Sequence, residues 1–575
     1  MEDKIMKNNK VVSELMTVMI AAGMLSGCGN MDAASEVAVK EDIAATEPQM
    51  SQEEADAATE PVEGEAPAIY EDNTYDSVEC KESSLEGYVE DECLSEYAKS
   101  LDCPFPYDDH EYNTESYESI EENEFNLVQT TPLSTFAADV DTASYANVRR
   151  MIENGVSLSE INADAVRTEE FLNYFSYDLN APKKGDKFGF TTEVSNCPWN
   201  EEHKLMFVGI KTQDIDLREI PDSNLVFLID VSGSMDEANK LPLLQKSFNK
   251  LVDELPGNGT VSIVTYSGSE EVVLSGESME NKEIIKEAID SLSASGCTNG
   301  ESGIQQAYKI AKKYYIDGGN NRVILATDGD LNVGIQDPDE LEKFISKKKD
   351  DGIFLSVLGF GDGNYKDDNL ERIADCGNGN YSYIDSVLEA QKVLVDEMGG
   401  TLLTVAKDVK LQVEFNPAVV NSYRLLGYEN RVMADADFTD DSKDGGEIGA
   451  GHSVVALYEF VPADSENAIN LKYGDAKDLD YGDEYATLSV RYKEPEKSKS
   501  EQVSVVIDNL SYKDDPGENI KFAALVAEFA MILRDSDNKG TATLEDIIRN
   551  YPSLEARDEY RDEFYQMVRM VAKRG

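Results

Sequence analysis

Residues 225–234, Leu-Val-Phe-Leu-Ile-Asp-Val-Ser-Gly-Ser, decide how the central part of this chain folds. The first five residues are apolar without interruption, which is typical of a strand that is buried on both faces of a sheet. Three oxygen-bearing side chains follow directly, those of Asp230, Ser232 and Ser234. In open α/β sheets, ligands bind beyond the carboxyl ends of the strands. The stretch therefore predicts a buried strand with a polar site at its end.

Strands and helices alternate on the C-terminal side of this stretch. Leu241, Leu244, Phe248 and Leu251 recur at helical spacing. Further strands are predicted at residues 261–266, 271–274, 322–326 and 353–360, and helices at 282–292, 303–315 and from about 387 to 405. Such alternation is the mark of a parallel sheet covered by helices on both faces. We predict a Rossmann-like, doubly wound α/β domain over residues 222–405.

Two more polar segments follow elements of this domain. Gly296-Cys-Thr-Asn-Gly300 leads into a predicted helix, and Thr327-Asp-Gly329 comes directly after a buried strand. Because the carboxyl ends of parallel strands meet at one edge of the sheet, we expect these segments to converge with Asp230 on a single crevice.

The three segments resemble the metal-ion-dependent adhesion site (MIDAS) of von Willebrand factor type A (VWFA) domains, built from Asp-x-Ser-x-Ser, a loop threonine and a loop aspartate. The resemblance implies direct coordination of Mg²⁺ or Mn²⁺ by Ser232, Ser234 and Thr298. Asp230 and Asp328 would act through water or as acceptors behind those ligands. Such a shell leaves the ion under-neutralised, so an Asp or Glu of a protein partner could complete it. Cys297 departs from the pattern, since a small hydroxyl residue is usual there.

The amino-acid sequence also resembles these proteins outside the metal site. Six segments resemble the YfbK-type subfamily of bacterial VWFA proteins: residues 132–136, 139–145, 197–200, 415–417, 427–431 and 449–452. This resemblance covers roughly residues 126–573. It implies an N-terminal region, the VWFA domain and a C-terminal domain.

Alternating apolar residues flank the α/β domain on both sides. They predict strands at residues 188–194 and 205–210 before it, and at 409–415, 453–460, 485–490 and 503–507 after it. We expect the two groups to pair in one β-sandwich into which the α/β domain is inserted. The N-terminal region would span residues 126–221. The C-terminal domain would span residues 406–575 and become helical from about residue 519.

The N-terminus has the pattern of an export signal. Three lysines precede an apolar run at residues 15–25, which is too short to span a bilayer as a helix. The run ends in Leu-Ser-Gly-Cys28, which resembles the bacterial lipobox. We predict a signal peptide at residues 1–28, lipidation of Cys28 and anchoring at the extracytoplasmic face of the cell membrane. The alternative is an ordinary secretory signal with a chance cysteine.

Acidic residues dominate the segment that follows. Between Asp32 and Glu124 there are about thirty acidic side chains and three lysines. This imbalance predicts a disordered tether over residues 29–125, although its tyrosines leave a recognition stretch as an alternative. The whole chain has a formal net charge of −62, which disfavours nucleic acid as a partner. An acidic surface fits a cationic partner, or one reached through a bridging metal.

Three function classes compete. The leading prediction is a non-enzymatic, metal-dependent protein-binding module, used for adhesion or as a scaffold. A metal-assisted hydrolase is the second, but no general base or nucleophile is visible near the crevice, and three histidines give little support for a catalytic triad. A metal-independent envelope scaffold is the third. The segment Asp535–Gly540 begins like a calcium-binding loop, but Lys539 occupies a ligand position.

Overall fold

The computed structural model describes residues 115–215, 220–267, 270–295, 303–329, 338–363, 365–469, 481–495, 497 and 499–574. The predicted lipidation site Cys28, the predicted metal ligand Thr298 and most of the predicted tether lie outside the described residues. Within these ranges, the helices are all too short or too polar to cross a membrane.

The described ranges contain sixteen strands and twelve α-helices, numbered in chain order. Strands β1 to β16 are Asn126–Leu127, Leu133–Ala137, Phe188–Asn196, Lys204–Thr212, Ser223–Asp230, Gly259–Tyr266, Glu270–Ser278, Asn320–Thr327, Phe354–Phe360, Tyr381–Ile384, Thr404–Phe415, Val420–Leu426, Gly446–Gly449, Ser453–Pro462, Glu484–Lys493 and Glu501–Asp508. Helices α1 to α12 are Ala143–Glu153, Thr168–Asn173, Leu241–Glu254, Lys282–Asp290, Gly303–Lys313, Pro338–Asp350, Asp367–Cys376, Val387–Gln391, Met398–Leu402, Glu518–Leu533, Leu544–Asn550 and Glu559–Arg574.

The central domain is a six-stranded sheet with the strand order β10-β9-β8-β5-β6-β7. Five strands run parallel, and the edge strand β7 is antiparallel to β6. Every residue of β5 is buried, because this strand lies between β8 and β6 and has an apolar core on each face of the sheet. Helix α3 places Leu244, Phe248 and Leu251 in one of these cores. The predicted Rossmann-like α/β fold is therefore confirmed.

The rest of the described chain forms a sandwich of two sheets. Sheet A has the order β1-β12-β14-β4-β3, and sheet B has the order β13-β11-β15-β16 with β2 beside β11. Strand β4, which precedes the α/β domain, pairs with β14, which follows it, and β2 pairs with β11 in the same way. The predicted insertion of the α/β domain into one sandwich is therefore confirmed.

Strand β4 shows how the sequence builds two cores at once. Leu205 and Phe207 face helices α1, α2 and α10 to α12. The alternate residues Met206, Val208 and Ile210 face sheet B. Because successive side chains of a strand point to opposite faces, one nearly continuous apolar run serves both layers. The helical C-terminal part therefore packs against the outer face of sheet A.

The sandwich and the helices packed against it are called the frame below. Buried arginines of the frame join it to the α/β domain. Arg149 of α1 donates to Asp385 at 2.7 and 2.8 Å, to Glu389 of α8 at 2.7 Å and to Glu563 of α12 at 2.6 Å. Its side chain is 2% exposed. A single side chain thus links three separate parts of the chain.

Helix α7 is held by two more arginines. Arg167, just before α2, binds Asp367 at 2.5 Å. Arg431, between β12 and β13, binds Glu371 at 3.0 Å and Asp375 at 2.5 Å. These contacts fix α7 against the frame at both of its ends.

The described chain begins with contacts to the folded part. Glu115 forms an ion pair with Arg150 at 3.0 Å and accepts a hydrogen bond from the backbone N–H of Gly363 at 3.0 Å. Glu122 pairs with the buried Arg424 at 2.7 Å. Residues 115–125, which were predicted to belong to the tether, therefore lie against the frame.

Replacing Arg149 should be costly. We expect Arg149→Ala to lower the free energy of unfolding by about 3–5 kcal/mol, because it leaves several buried carboxylates without their counter-charge. The control is Arg372→Ala, which removes an ion pair with Glu342 from a side chain that is 50% exposed. It should cost less than about 1 kcal/mol. Urea denaturation measures both changes, and equal losses would contradict this role of Arg149.

Candidate metal site at the carboxyl edge of the sheet

Asp230 is the last residue of β5 and is fully buried. Its Oδ1 accepts a hydrogen bond from the backbone N–H of Ser232 at 2.8 Å. Its Oδ2 is also buried and has no hydrogen-bond partner of normal geometry among the described residues. A buried carboxylate oxygen without a hydrogen-bond partner is costly, so Oδ2 offers negative charge to a cation bound nearby.

The two predicted serine ligands lie beside each other. Ser232 Oγ and Ser234 Oγ are 3.0 Å apart, in the short 3₁₀ turn that follows β5. Ser232 is buried, whereas Ser234 is exposed. The pair of hydroxyl groups therefore leads from the sheet edge to the surface.

Asp328 follows the neighbouring strand. Strands β5 and β8 are parallel, with Ile229 opposite Ala326, so Asp230 and Asp328 leave the sheet at the same edge. Asp328 is fully buried. Its Oδ2 lies 3.2 Å from the ammonium group of Lys240, which is 4% exposed.

Lys240 is a functional candidate that the sequence analysis missed. It stands directly before α3, six residues after Ser234. The available signal was a lysine at the start of the helix that follows a polar turn. That signal is weak, because such lysines are usually solvated.

Thr298 lies outside the described residues, but both flanks of its loop are at the site. The backbone N–H of Ser295 donates to the carbonyl of Val231 at 2.8 Å. On the other side, Gly303 packs against Tyr266, and a Cβ at this glycine would come within 2.8 Å of that of Tyr266. The loop therefore leaves and re-enters the described structure beside Asp230.

The electrostatics of the edge favour a cation. The pKa of Asp230 is raised to about 6, mainly by burial and in smaller part by the negative charge of Asp328, against hydrogen bonds from Ser232 and Tyr266 that lower it. The donors brought together are two carboxylates and two hydroxyls, which are hard oxygen ligands of the kind that Mg²⁺ and Mn²⁺ take. No cluster of three or more His, Cys, Asp or Glu side chains suited to a metal occurs in the described ranges. The two carboxylates and two hydroxyls fit a hydroxyl-rich metal site because of their own chemistry.

The other candidate segments have structural partners. Asp535, in the segment that resembles a calcium loop, forms an ion pair with Lys539. His203, one of the three histidines of the sequence, has its Nδ1 2.5 Å from Glu459 Oε1. These contacts fit the structural roles that the sequence favoured.

The stability of the protein without metal should depend on pH, because Asp230 ionises within the accessible pH range. A carboxyl group whose pKa is higher in the folded than in the unfolded chain contributes stability below its unfolded pKa, near 3.8, and loses it as the pH rises through about 6. In EDTA at pH 7.5, Asp230→Asn should therefore raise the free energy of unfolding by up to about 3 kcal/mol. At pH 4 the difference should vanish.

Urea denaturation from pH 4 to pH 8 gives the comparison. The control is Asp236→Asn, since Asp236 is exposed in the same turn. A stability curve of Asp230→Asn that runs parallel to that of the wild type would contradict the raised pKa.

Comparison with known proteins places the chain in a family. The family model described as von Willebrand factor matches residues 111–207, the one described as von Willebrand factor type A domain matches residues 224–397, and the one described as Uncharacterized protein YfbK, C-terminal, matches residues 400–573. A von Willebrand factor type A structure from Catenulispora acidiphila is 17% identical, with a TM-score of 0.38, and covers 69% of this chain and 91% of that one.

Two relatives show how far the similarity extends. The Synechocystis protein sll0103 is 30% identical over 196 residues, which is 34% of this chain and 45% of that protein. YfbK of Escherichia coli is 41% identical over 471 residues, which is 80% of this chain and 81% of that protein. The chain therefore belongs to the YfbK family of proteins with a von Willebrand factor type A domain.

Proposed function

We propose that this protein is a metal-dependent protein-binding module, which captures an acidic side chain of a partner at a MIDAS on its VWFA domain. The observation that carries the proposal is the buried Oδ2 of Asp230, which has no hydrogen-bond partner of normal geometry among the described residues and lies at the same sheet edge as Asp328. A bound cation would supply the positive charge that these two buried carboxylates need.

Each residue has a distinct part in holding the ion. Ser232 and Ser234 present adjacent hydroxyl groups at the edge, and by family resemblance they bind the ion directly together with Thr298. Asp230 and Asp328 supply negative charge behind them. When bound, the ion offers a Lewis-acidic position to an incoming carboxylate.

The exposure of Ser234 sets the direction of approach. Asp230, Asp328 and Ser232 are buried, so a partner reaches the ion from the side of Ser234. An Asp or Glu side chain is long enough to enter such an opening and supplies one more hard oxygen. Capture of an acidic group therefore follows from the chemistry of the donors and from their depth.

The N-terminal sequence gives the module a location. We propose that Cys28 is lipidated and anchors the protein at the extracytoplasmic face of the cell membrane, and that the acidic segment after it holds the module away from the bilayer. Display on a tether suits a protein that binds partners in the cell envelope.

Metal binding is tested by isothermal titration of Mg²⁺ and Mn²⁺ into the full chain, in chloride and in acetate buffers. We expect saturable binding near one ion per chain, which is lost in Asp230→Ala and in Asp328→Ala. Asp236→Ala is the matched control, because it removes an exposed carboxylate from the same turn. Binding that survives both site variants, or that never occurs in the folded wild type in either buffer, would overturn the metal-dependent function.

Lipidation is tested by intact-mass spectrometry of the protein purified from bacterial membranes. The expected mass is that of a chain beginning at Cys28 with added acyl groups, and Cys28→Ser should release the protein from the membrane fraction. A mature chain that begins elsewhere, without added acyl mass, would favour the ordinary secretory signal.

A further inference from the structure

We infer that Lys240 is a built-in counter-charge that weakens binding of the metal alone and makes the partner's carboxylate part of the binding site. The inference rests on the proposed metal site and adds what selects its partner. It assigns to Lys240 a specificity-determining role that the two carboxylates and the hydroxyl ligands do not have.

The position of Lys240 is unusual for a lysine. Its side chain is 5% exposed, and its ammonium group lies 3.2 Å from Oδ2 of the fully buried Asp328. The second acidic neighbour, Glu237, is 3.8 Å away and 63% exposed, so it is the weaker partner. Lysines are rarely buried unless they are paired, and this pair involves a predicted metal-site residue.

The surrounding backbone holds the lysine in place. Gly361, with φ of +75°, lies against the stem of Lys240, and a Cβ there would come within 2.3 to 2.9 Å of its Cε, Cγ and Cδ. The hydroxyl group of the buried Tyr383 donates to the carbonyl of Gly361 and fixes the loop. The stem of Lys240 is therefore closely packed by the loop at Gly361, with its ammonium group beside Asp328.

The charges show what this arrangement does. The buried charged groups described at the site are Asp230, Asp328 and Lys240, which sum to −1. A divalent ion brings the sum to +1, and one carboxylate from a partner brings it to zero. Without Lys240, the ion alone would neutralise the site, and an added carboxylate would leave it negative. Lys240 therefore favours the ion and an acidic partner bound together over the ion alone.

The expected size of the effect is measurable. A unit charge about 6 Å from a divalent ion changes the affinity for that ion by roughly tenfold, even at the dielectric constant of water. Lys240→Met, which keeps much of the stem, should therefore bind Mn²⁺ at least roughly tenfold more tightly than the wild type in chloride buffer. In the wild type, acetate at matched ionic strength should tighten Mn²⁺ binding. In Lys240→Met this gain should disappear.

Isothermal titration of Mn²⁺ into the full chain, with and without acetate, tests the inference. Lys246→Met is the matched control, because it removes the same charge from an exposed position on α3. Lys240→Gln is a second variant that keeps a hydrogen-bond donor near Asp328. Thermal melting in EDTA establishes that each variant is folded.

The outcomes separate this inference from the function on which it rests. Tighter Mn²⁺ binding and loss of the acetate gain in both Lys240 variants, with Lys246→Met like the wild type, would support it. Equal Mn²⁺ affinity and an equal acetate gain in all variants would overturn it and leave the metal site intact. Loss of Mn²⁺ binding in folded Lys240 variants would also overturn it, since Lys240 would then be needed to position Asp328. No Mn²⁺ binding by any protein would remove the metal site itself.

Discussion

Ion pairs between arginines of the frame and carboxylates of the α/β domain, most of them buried, are the interaction on which the arrangement of this molecule depends. An inserted domain is joined to its host by only two chain connections, so its orientation has to come from contacts. Arg149, Arg167 and Arg431 supply them, through Asp385 and Glu389 near α8 and through three acidic residues of α7. Such pairs contribute little net stability compared with apolar packing, but removing one partner is costly. They therefore specify a single orientation of the α/β domain.

Buried carboxylates are balanced differently at the candidate metal site. Where the frame meets the α/β domain, buried carboxylates pair with arginines, whose planar guanidinium groups bind several acceptors at once. At the sheet edge, the single buried lysine pairs with Asp328, and Oδ2 of Asp230 has no hydrogen-bond partner of normal geometry in the described part of the chain. The buried charges described at the site sum to −1, which the proposed ion and a partner's carboxylate together would balance.

Sequence patterns predicted the fold where burial is periodic or complete. The run at residues 225–229 predicted β5, and the nearly continuous apolar run at residues 205–210 predicted β4, which serves two cores. Strand β12, Val420–Leu426, was missed because Asn421, Ser422 and Arg424 interrupt its apolar residues. All three are buried, and Arg424 is balanced by Glu459 from the neighbouring strand at 2.7 Å. Such pairing depends on tertiary contacts, which a single segment does not reveal.

The sequence also predicted most of the residues that the structure places at the candidate site. Asp230, Ser232, Ser234 and Asp328 were found because two parallel strands end at the same edge, and the structure places all four there. Lys240 was missed because its burial depends on Gly361, which is far away in the sequence. A crystal structure of the protein grown with Mn²⁺ and acetate tests the central claim most directly. The account predicts one anomalous peak between Ser232, Ser234 and Asp230, with acetate on its open side. An edge without a peak, in crystals that hold Mn²⁺ elsewhere, would contradict it.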